Sequence, residues 1–194
     1  RPGTLITDAG STKQSIVDGW EQNRPARRAR FVGSHPLAGS HRRGAQAADP
    51  ALFENKLAVL TPAESTPEVD TESIASFWQL IGAEVCILSP LEHDSLLASA
   101  SHAPHIIAAA LATATPRETH RFTAGGWRDT TRIAAGDPEL WADILLDNAK
   151  AVTKQIEKVT QASGQLQHAI EARDRFTLIK LLTLAKERRD ALGS

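Results

Sequence analysis

Several stretches of the sequence concentrate residues that can move a proton or hold an anion. In Gly33-Ser34-His35-Pro36-Leu37-Ala38-Gly39 a histidine lies between two glycines and is followed by a proline. Imidazole titrates near neutral pH, so His35 suits a general base; a structural histidine bonded to backbone is the alternative. Asp8-Ala9-Gly10-Ser11-Thr12-Lys13 offers a tight turn at Gly10 and a hydroxyl at Ser11, and a plain turn with a helix cap would look the same. Ser101-His102-Ala103-Pro104-His105 sets two histidines three positions apart, a spacing that can share one helix face. Asp94, in His93-Asp94, could join them as a metal ligand. Against a metal stand the absence of an HExxH pattern, the single cysteine Cys86 and the proline between the two histidines. The reading is therefore ligand-binding or structural histidines and no metal. Gly125-Gly126-Trp127-Arg128-Asp129-Thr130-Thr131-Arg132 suits a loop that closes on an anion, since Arg grips a carboxylate in bidentate fashion. Trp141 fits either core or crevice wall, and Cys86 a small core residue.

These residues need elements to hold them, and the chain changes character near residue 90. Before it, β-type runs at 4–8, 30–33, 57–60 and 85–88 alternate with helical patterns at 15–23 and 71–81, the latter closed by Gly82. Alternation of this kind predicts an α/β layer with a largely parallel sheet. Ligands of open α/β sheets bind at the carboxyl ends of the strands, which is where the Asp8–Lys13 and Gly33–Gly39 stretches fall, as does the Ser89-Pro90 exit that leads to His93-Asp94. After residue 90 no strand is expected. The segment 92–114 is Ala-rich, 115–131 reads as a loop, and Asp137-Pro138-Glu139 is a helix start. The helix that follows carries Leu145, Val152, Val159 and Leu166 at seven-residue intervals, with Ala149, Ile156 and Ile170 beside them. Such a narrow apolar seam favours packing on a second subunit. Asp174 is expected to cap a last helix over 176–192.

The 194 residues have a net charge of −1, 41% hydrophobic and 23% charged content, which excludes wholesale disorder and gives no reason to expect nucleic acid or an anionic membrane as partner. One cysteine excludes an intrachain disulfide framework. No apolar run is expected to approach spanning length, and the expected location is the cytoplasm. The sequence begins at Arg1 and contains no Met, so a piece of a longer protein is expected.

The ordered series of motifs resembles the prephenate dehydrogenase family, which includes the arogenate and cyclohexadienyl dehydrogenases. It runs from Asp8–Lys13 through Gly33–Ser40, Leu52-Phe53-Glu54-Asn55, Leu60-Thr61-Pro62, Phe77-Trp78, His93-Asp94, Ser101–His105 and Thr131-Arg132-Ile133-Ala134 to Asp137-Pro138 with Trp141. The resemblance covers nearly the whole chain and weakens after about residue 160. It implies the C-terminal part of a Rossmann-like nucleotide-binding domain over 1–90 and an all-helical, homodimer-forming and substrate-binding domain over 91–194. It also implies NAD(P)-dependent oxidative decarboxylation of prephenate to 4-hydroxyphenylpyruvate, with NAD favoured over NADP. Arogenate as substrate, or a catalytically incomplete dimerisation fragment, are the alternatives. By similarity His35 is the base at the ring hydroxyl, and Ser11 orients His35 and the nicotinamide. Arg132 binds the substrate carboxylate. His105 contacts substrate with His102 and Asp94 in support, Trp141 lines the pocket, and Gly10 and Pro36 adjoin the cofactor.

Two departures from the family pattern stand out. The G-x-G-x-x-G fingerprint of dinucleotide binding is absent, which predicts a chain lacking about 100 residues, the size of a nucleotide-binding half. Six residues after His35, where many members carry Glu, this sequence has His41.

Overall fold

The computed structural model describes residues 3–23, 29–39, 46 and 48–193. His41 and its neighbours lie outside the described residues. The chain divides into two compact units, Arg1–Val152 and Thr153–Ser194.

The first unit opens with a four-stranded sheet in the order β1 (Leu5–Thr7), β2 (Arg30–Pro36), β3 (Leu57–Thr61) and β4 (Glu84–Ile87). The pairs β1–β2 and β3–β4 are parallel and each is bridged by a helix, α1 (Gln14–Gln22) and α2 (Glu68–Leu80) respectively. β2 and β3 run antiparallel, with His35 opposite Val59. The expected largely parallel sheet is thus a mixed one. The physical reason lies in the connection: a parallel pair needs a crossover, and no α-helix or strand is found between β2 and β3 among the described residues. The core beneath the sheet is Val32, Ala58, Leu60, Ile74, Trp78 and Ala83. Ile74 and Trp78 share one face of α2, and Gly82, at φ +90°, ends that helix in the left-handed region that glycine tolerates.

β2 is longer than the sequence pattern suggested. It continues through Gly33, Ser34, His35 and Pro36, so His35 stands on a strand and not in the turn after one. The antiparallel partner β3 extends the ladder to Pro36, a pairing that local sequence does not reveal.

After β4 the structure is helical. Ser89 caps α3 (Pro90–Leu97) in a reciprocal box with Glu92, whose carboxylate accepts from the Ser89 amide at 2.9 Å. A π-helical turn, Ala98–His102, joins α3 to α4 (Ala103–Ala114). Together they form a 25-residue helical stretch whose 18-residue window reaches a mean hydropathy of 1.3, enough by length and composition to cross a membrane. The expectation that no run approaches spanning length is corrected here, because Pro104 does not break the helix. His93, Asp94 and His102 of this stretch are buried and bonded to partners elsewhere in the unit, as a core helix requires.

Residues 115–131 are not a loop: they form a 3₁₀ segment, Arg117–Phe122, and α5 (Gly125–Thr131). The two glycines therefore begin a helix. Asp137 caps α6 (Pro138–Asp147), accepting from the amides of Glu139 and Leu140 at 2.9 and 3.0 Å. The expected single long helix is broken at Asn148, after which α7 runs from Ala149 to Glu171. Within the second unit, Asp174 caps α8 (Arg175–Asp190) through the Thr177 amide, and Ile170, Phe176 and Leu182 are exposed.

Candidate functional site

The turn after β1 is organised by Asp8. Its carboxylate accepts from the amides of Gly10 (2.8 Å) and Ser34 (2.9 Å) and pairs with the Lys13 ammonium. Lys13 is wholly buried, and its Nζ also donates to the Ser34 carbonyl at 2.9 Å. Burial pushes the Lys13 pKa down, and the adjacent Asp8 carboxylate opposes that. Ser34 is itself fully buried and accepts from Trp78 Nε1 at 3.2 Å, which ties the sheet core to this turn.

Beside Ser34, His35 points its Nδ1 at Nε2 of His93, 2.9 Å away, with the rings edge to face. His93 is wholly buried, and its Nδ1 lies 2.8 Å from Asp94 Oδ1. Asp94 also accepts from the amides of Lys13 and Gln14, both at 2.9 Å, and so caps the N-terminus of α1 from eighty residues away in sequence. Burial works to raise the Asp94 pKa. The His93 hydrogen bond and the two amides outweigh it and hold the carboxyl below its usual range. Burial lowers the pKa of His35 to about 4, and His93 and Lys13 push the same way. His35 is therefore a neutral imidazole at physiological pH. Its Nε2 has no partner among the described residues.

A second cluster adjoins the first. The Asn148 amide donates to the Asp94 carbonyl at 2.7 Å and lies 3.2 Å from His102 Nδ1. His102 meets the Trp141 ring edge-on, and His105 stacks on it at 3.6 Å between centroids, with 12° between the planes. Burial lowers the pKa of both histidines, and the buried His105 Nδ1 has no hydrogen-bond partner among the described residues. Gly136 completes the cluster, because a Cβ there would sit 2.4 Å from Trp141 Nε1. The π turn matters to this arrangement. Asp94 and His102 are eight residues apart, about 80° around a regular helix of 3.6 residues per turn; absorbing one extra residue brings them onto one side.

The structure thus brings together His35, Asp94, His102, His105 and Trp141, linked by His93 and Asn148. Neither linker carries a role in the sequence reading. His93 had a signal: it directly precedes Asp94 in the first turn of the helix leaving β4. Asn148 had none. Asp94, weighed as a metal ligand or as support for substrate binding, has both carboxylate oxygens bonded to His93 and α1. Ser11 is half-buried and makes no hydrogen bond to His35 among the described residues. Pro36 is buried in the ladder opposite Ala58. Arg132 is exposed at the start of a 3₁₀ turn packed on α4, with no ion pair among the described residues. A cavity of about 740 Å³ lies beside His105 and Trp141, lined also by Ile106, Ala109, Pro138 and Leu145. It is apolar and is lined by neither His35 nor His93, so it is not where proton transfer would occur.

Comparison with known proteins follows this division of the chain. Residues 1–87 match the family model described as prephenate dehydrogenase, nucleotide-binding domain, and residues 89–184 match prephenate dehydrogenase, dimerization domain. The solved prephenate dehydrogenase of A. aeolicus, a complex with hydroxyphenyl propionate and NAD+, superposes with a TM-score of 0.86 at 32% identity, over 97% of this chain and 67% of that one. The chain belongs to the prephenate dehydrogenase family. A prephenate dehydrogenase of Bacillus subtilis is 39% identical over 97% of this chain, and an arogenate dehydrogenase structure from Synechocystis matches with a TM-score of 0.84 at 30% identity, over 97% of this chain and 69% of that one. This prephenate dehydrogenase family chain spans about half, 52%, of the B. subtilis enzyme's length.

Proposed function

We propose that the whole protein is an NAD(P)-dependent dehydrogenase that oxidatively decarboxylates prephenate or its amino counterpart, arogenate. The observation that carries this reading is the neutral His35 imidazole, backed by His93 and open at Nε2, in a chain that matches both domains of one dehydrogenase family. His35 Nε2 accepts the proton of the ring hydroxyl as the carbon bearing it becomes a carbonyl; loss of the ring carboxylate as CO2 then aromatises the ring. Arg132, exposed and unpaired among the described residues, is available to a substrate carboxylate. His105 and Trp141 contribute an aromatic wall, with His102 behind them.

The turn at the end of β1 fits the nicotinamide end of a dinucleotide. Its Ser11 hydroxyl is half-buried with no partner among the described residues, and Gly10 is packed so closely that a Cβ would meet Asp8 Oδ2 at 2.9 Å. Gly10, Ser11 and Pro36 would adjoin the cofactor, which when bound supplies the hydride acceptor. Residues 1–90 are then part of the nucleotide-binding domain, and 91–194 the substrate-binding and dimerisation domain of a cytoplasmic homodimer. The test is full-length protein incubated with prephenate or arogenate and NAD or NADP. Appearance of reduced cofactor with either substrate is expected, and its absence with both overturns the reading.

A further inference from the structure

We propose that His93 and Asp94 act as a positioning pair that fixes the tautomer of His35, leaving a lone pair on His35 Nε2. This rests on the reading of His35 as the base. The geometry leaves each proton one place. Asp94 receives two backbone amides and one imidazole nitrogen, contacts that suit an ionised carboxylate, which can only accept. The proton between Asp94 and His93 therefore sits on His93 Nδ1. With one proton on each imidazole, His93 Nε2 is an acceptor. The proton between the two imidazoles then belongs to His35 Nδ1, which donates across 2.9 Å. A neutral His35 carrying that proton has a bare Nε2, the form a general base needs.

The alternative tautomer of His35 would set its bare Nδ1 against the bare Nε2 of His93, two lone pairs facing each other, one of them on a wholly buried ring. Catalysis uses the same chain. When His35 Nε2 takes the hydroxyl proton, the O–H bond breaks and the N–H bond forms; a bound cofactor would supply the acceptor for the hydride. The imidazolium so formed points its Nδ1–H at His93, behind which stands the Asp94 charge. Other charged or titratable groups face His35: Lys13 from the turn before α1, Asp8 from the end of β1 and His102 from the π turn. Lys13 and His102 disfavour the imidazolium, Asp8 favours it, and among the described residues only His93 is hydrogen-bonded to the ring.

Two measurements on the full-length protein test this. The first is ring-nitrogen NMR of histidine-labelled wild type. His35, identified by its loss in His35→Asn, is expected as the neutral form protonated at Nδ1; a signal protonated at Nε2 overturns the proposal. It does not depend on turnover, so it stands apart from failure of the assay. The second is a double-mutant comparison. His93→Leu is expected to lower kcat by about 10²-fold or more, the scale of a general base's contribution, with KM for the substrate little changed. His93→Gln, whose amide oxygen can still accept from His35 Nδ1, recovers part of the loss. Adding His93→Leu to His35→Asn is expected to cost nothing further, because His93 acts through His35. Full additivity would reduce His93 to a structural residue and overturn its positioning role.

Discussion

His35 shows how neighbours set what a side chain can do. Its pKa of about 4 arises from burial first, then from His93 and Lys13. The folded value lies below the ordinary imidazole value of about 6.5, so between these two pH values the unfolded chain binds a proton that the folded chain refuses. Stability contributed here is complete above that window and declines as pH falls through it. The acid limb of kcat/KM for the full-length enzyme is expected well below 6.5, and a limb at 6.5 or above would contradict the buried, neutral imidazole. His35→Asn is expected to lower kcat by about 10²–10⁴; near-normal turnover would remove His35 from the role of base. Lys13 is a second case. It is wholly buried while its partner Asp8 keeps 21% of its side-chain surface exposed. Lys13→Met leaves the carboxylate without its cation and is expected to destabilise the full-length protein by about 3 kcal/mol, read from urea unfolding. A loss under about 1 kcal/mol would show that the Gly10 and Ser34 amides suffice to hold Asp8.

Elements carry these side chains to their places, and several depend on partners distant in sequence. α1 begins without a capping side chain of its own and takes Asp94 instead. α3 and α4 remain one stretch across the π turn, which sets Asp94 and His102 on one side. The break between α6 and α7 falls at Asn148, whose side chain bonds both. Asn148→Leu strands the Asp94 carbonyl and the His102 ring without their donor. A loss of about 1–3 kcal/mol in urea unfolding is expected, and none would mean that other groups take up both acceptors. Gly136→Ala would drive a Cβ into Trp141, 2.4 Å from Nε1. It is expected to displace the indole from His105 and to weaken substrate binding in the assay of the full-length enzyme. An unchanged KM would separate the stack from the site.

At the scale of the molecule, the described chain is a mixed sheet with helices in one unit and most of α7 with α8 in another. The family's dimerization domain matches residues 89–184, and α7 carries Val159 and Leu166 half-buried on the seven-residue seam. The proposed homodimer would cover such a surface. Leu166→Glu in the full-length protein is expected to shift the mass in sedimentation toward the monomer; an unchanged dimer would place the interface elsewhere.

Much of this was legible locally. Helix starts at Asp137 and Asp174 depend on a few adjacent residues, and the structure has each where the pattern put it. The strands of the sheet were legible as short apolar runs, and the motif order announced the family. Less legible was whatever depends on a partner far along the chain. The extension of β2 through His35 requires β3, and the antiparallel register goes with a connection in which the described residues form no crossover helix. His93 looked like the neighbour of a candidate ligand until folding set its ring between Asp94 and His35. Residue types and spacing by themselves determined which chemistry was available and where helices could begin. Only the tertiary structure decided which histidine keeps an open ring nitrogen among the described residues and which stands behind it, because protonation and tautomer follow from burial and from hydrogen bonds between groups tens of residues apart.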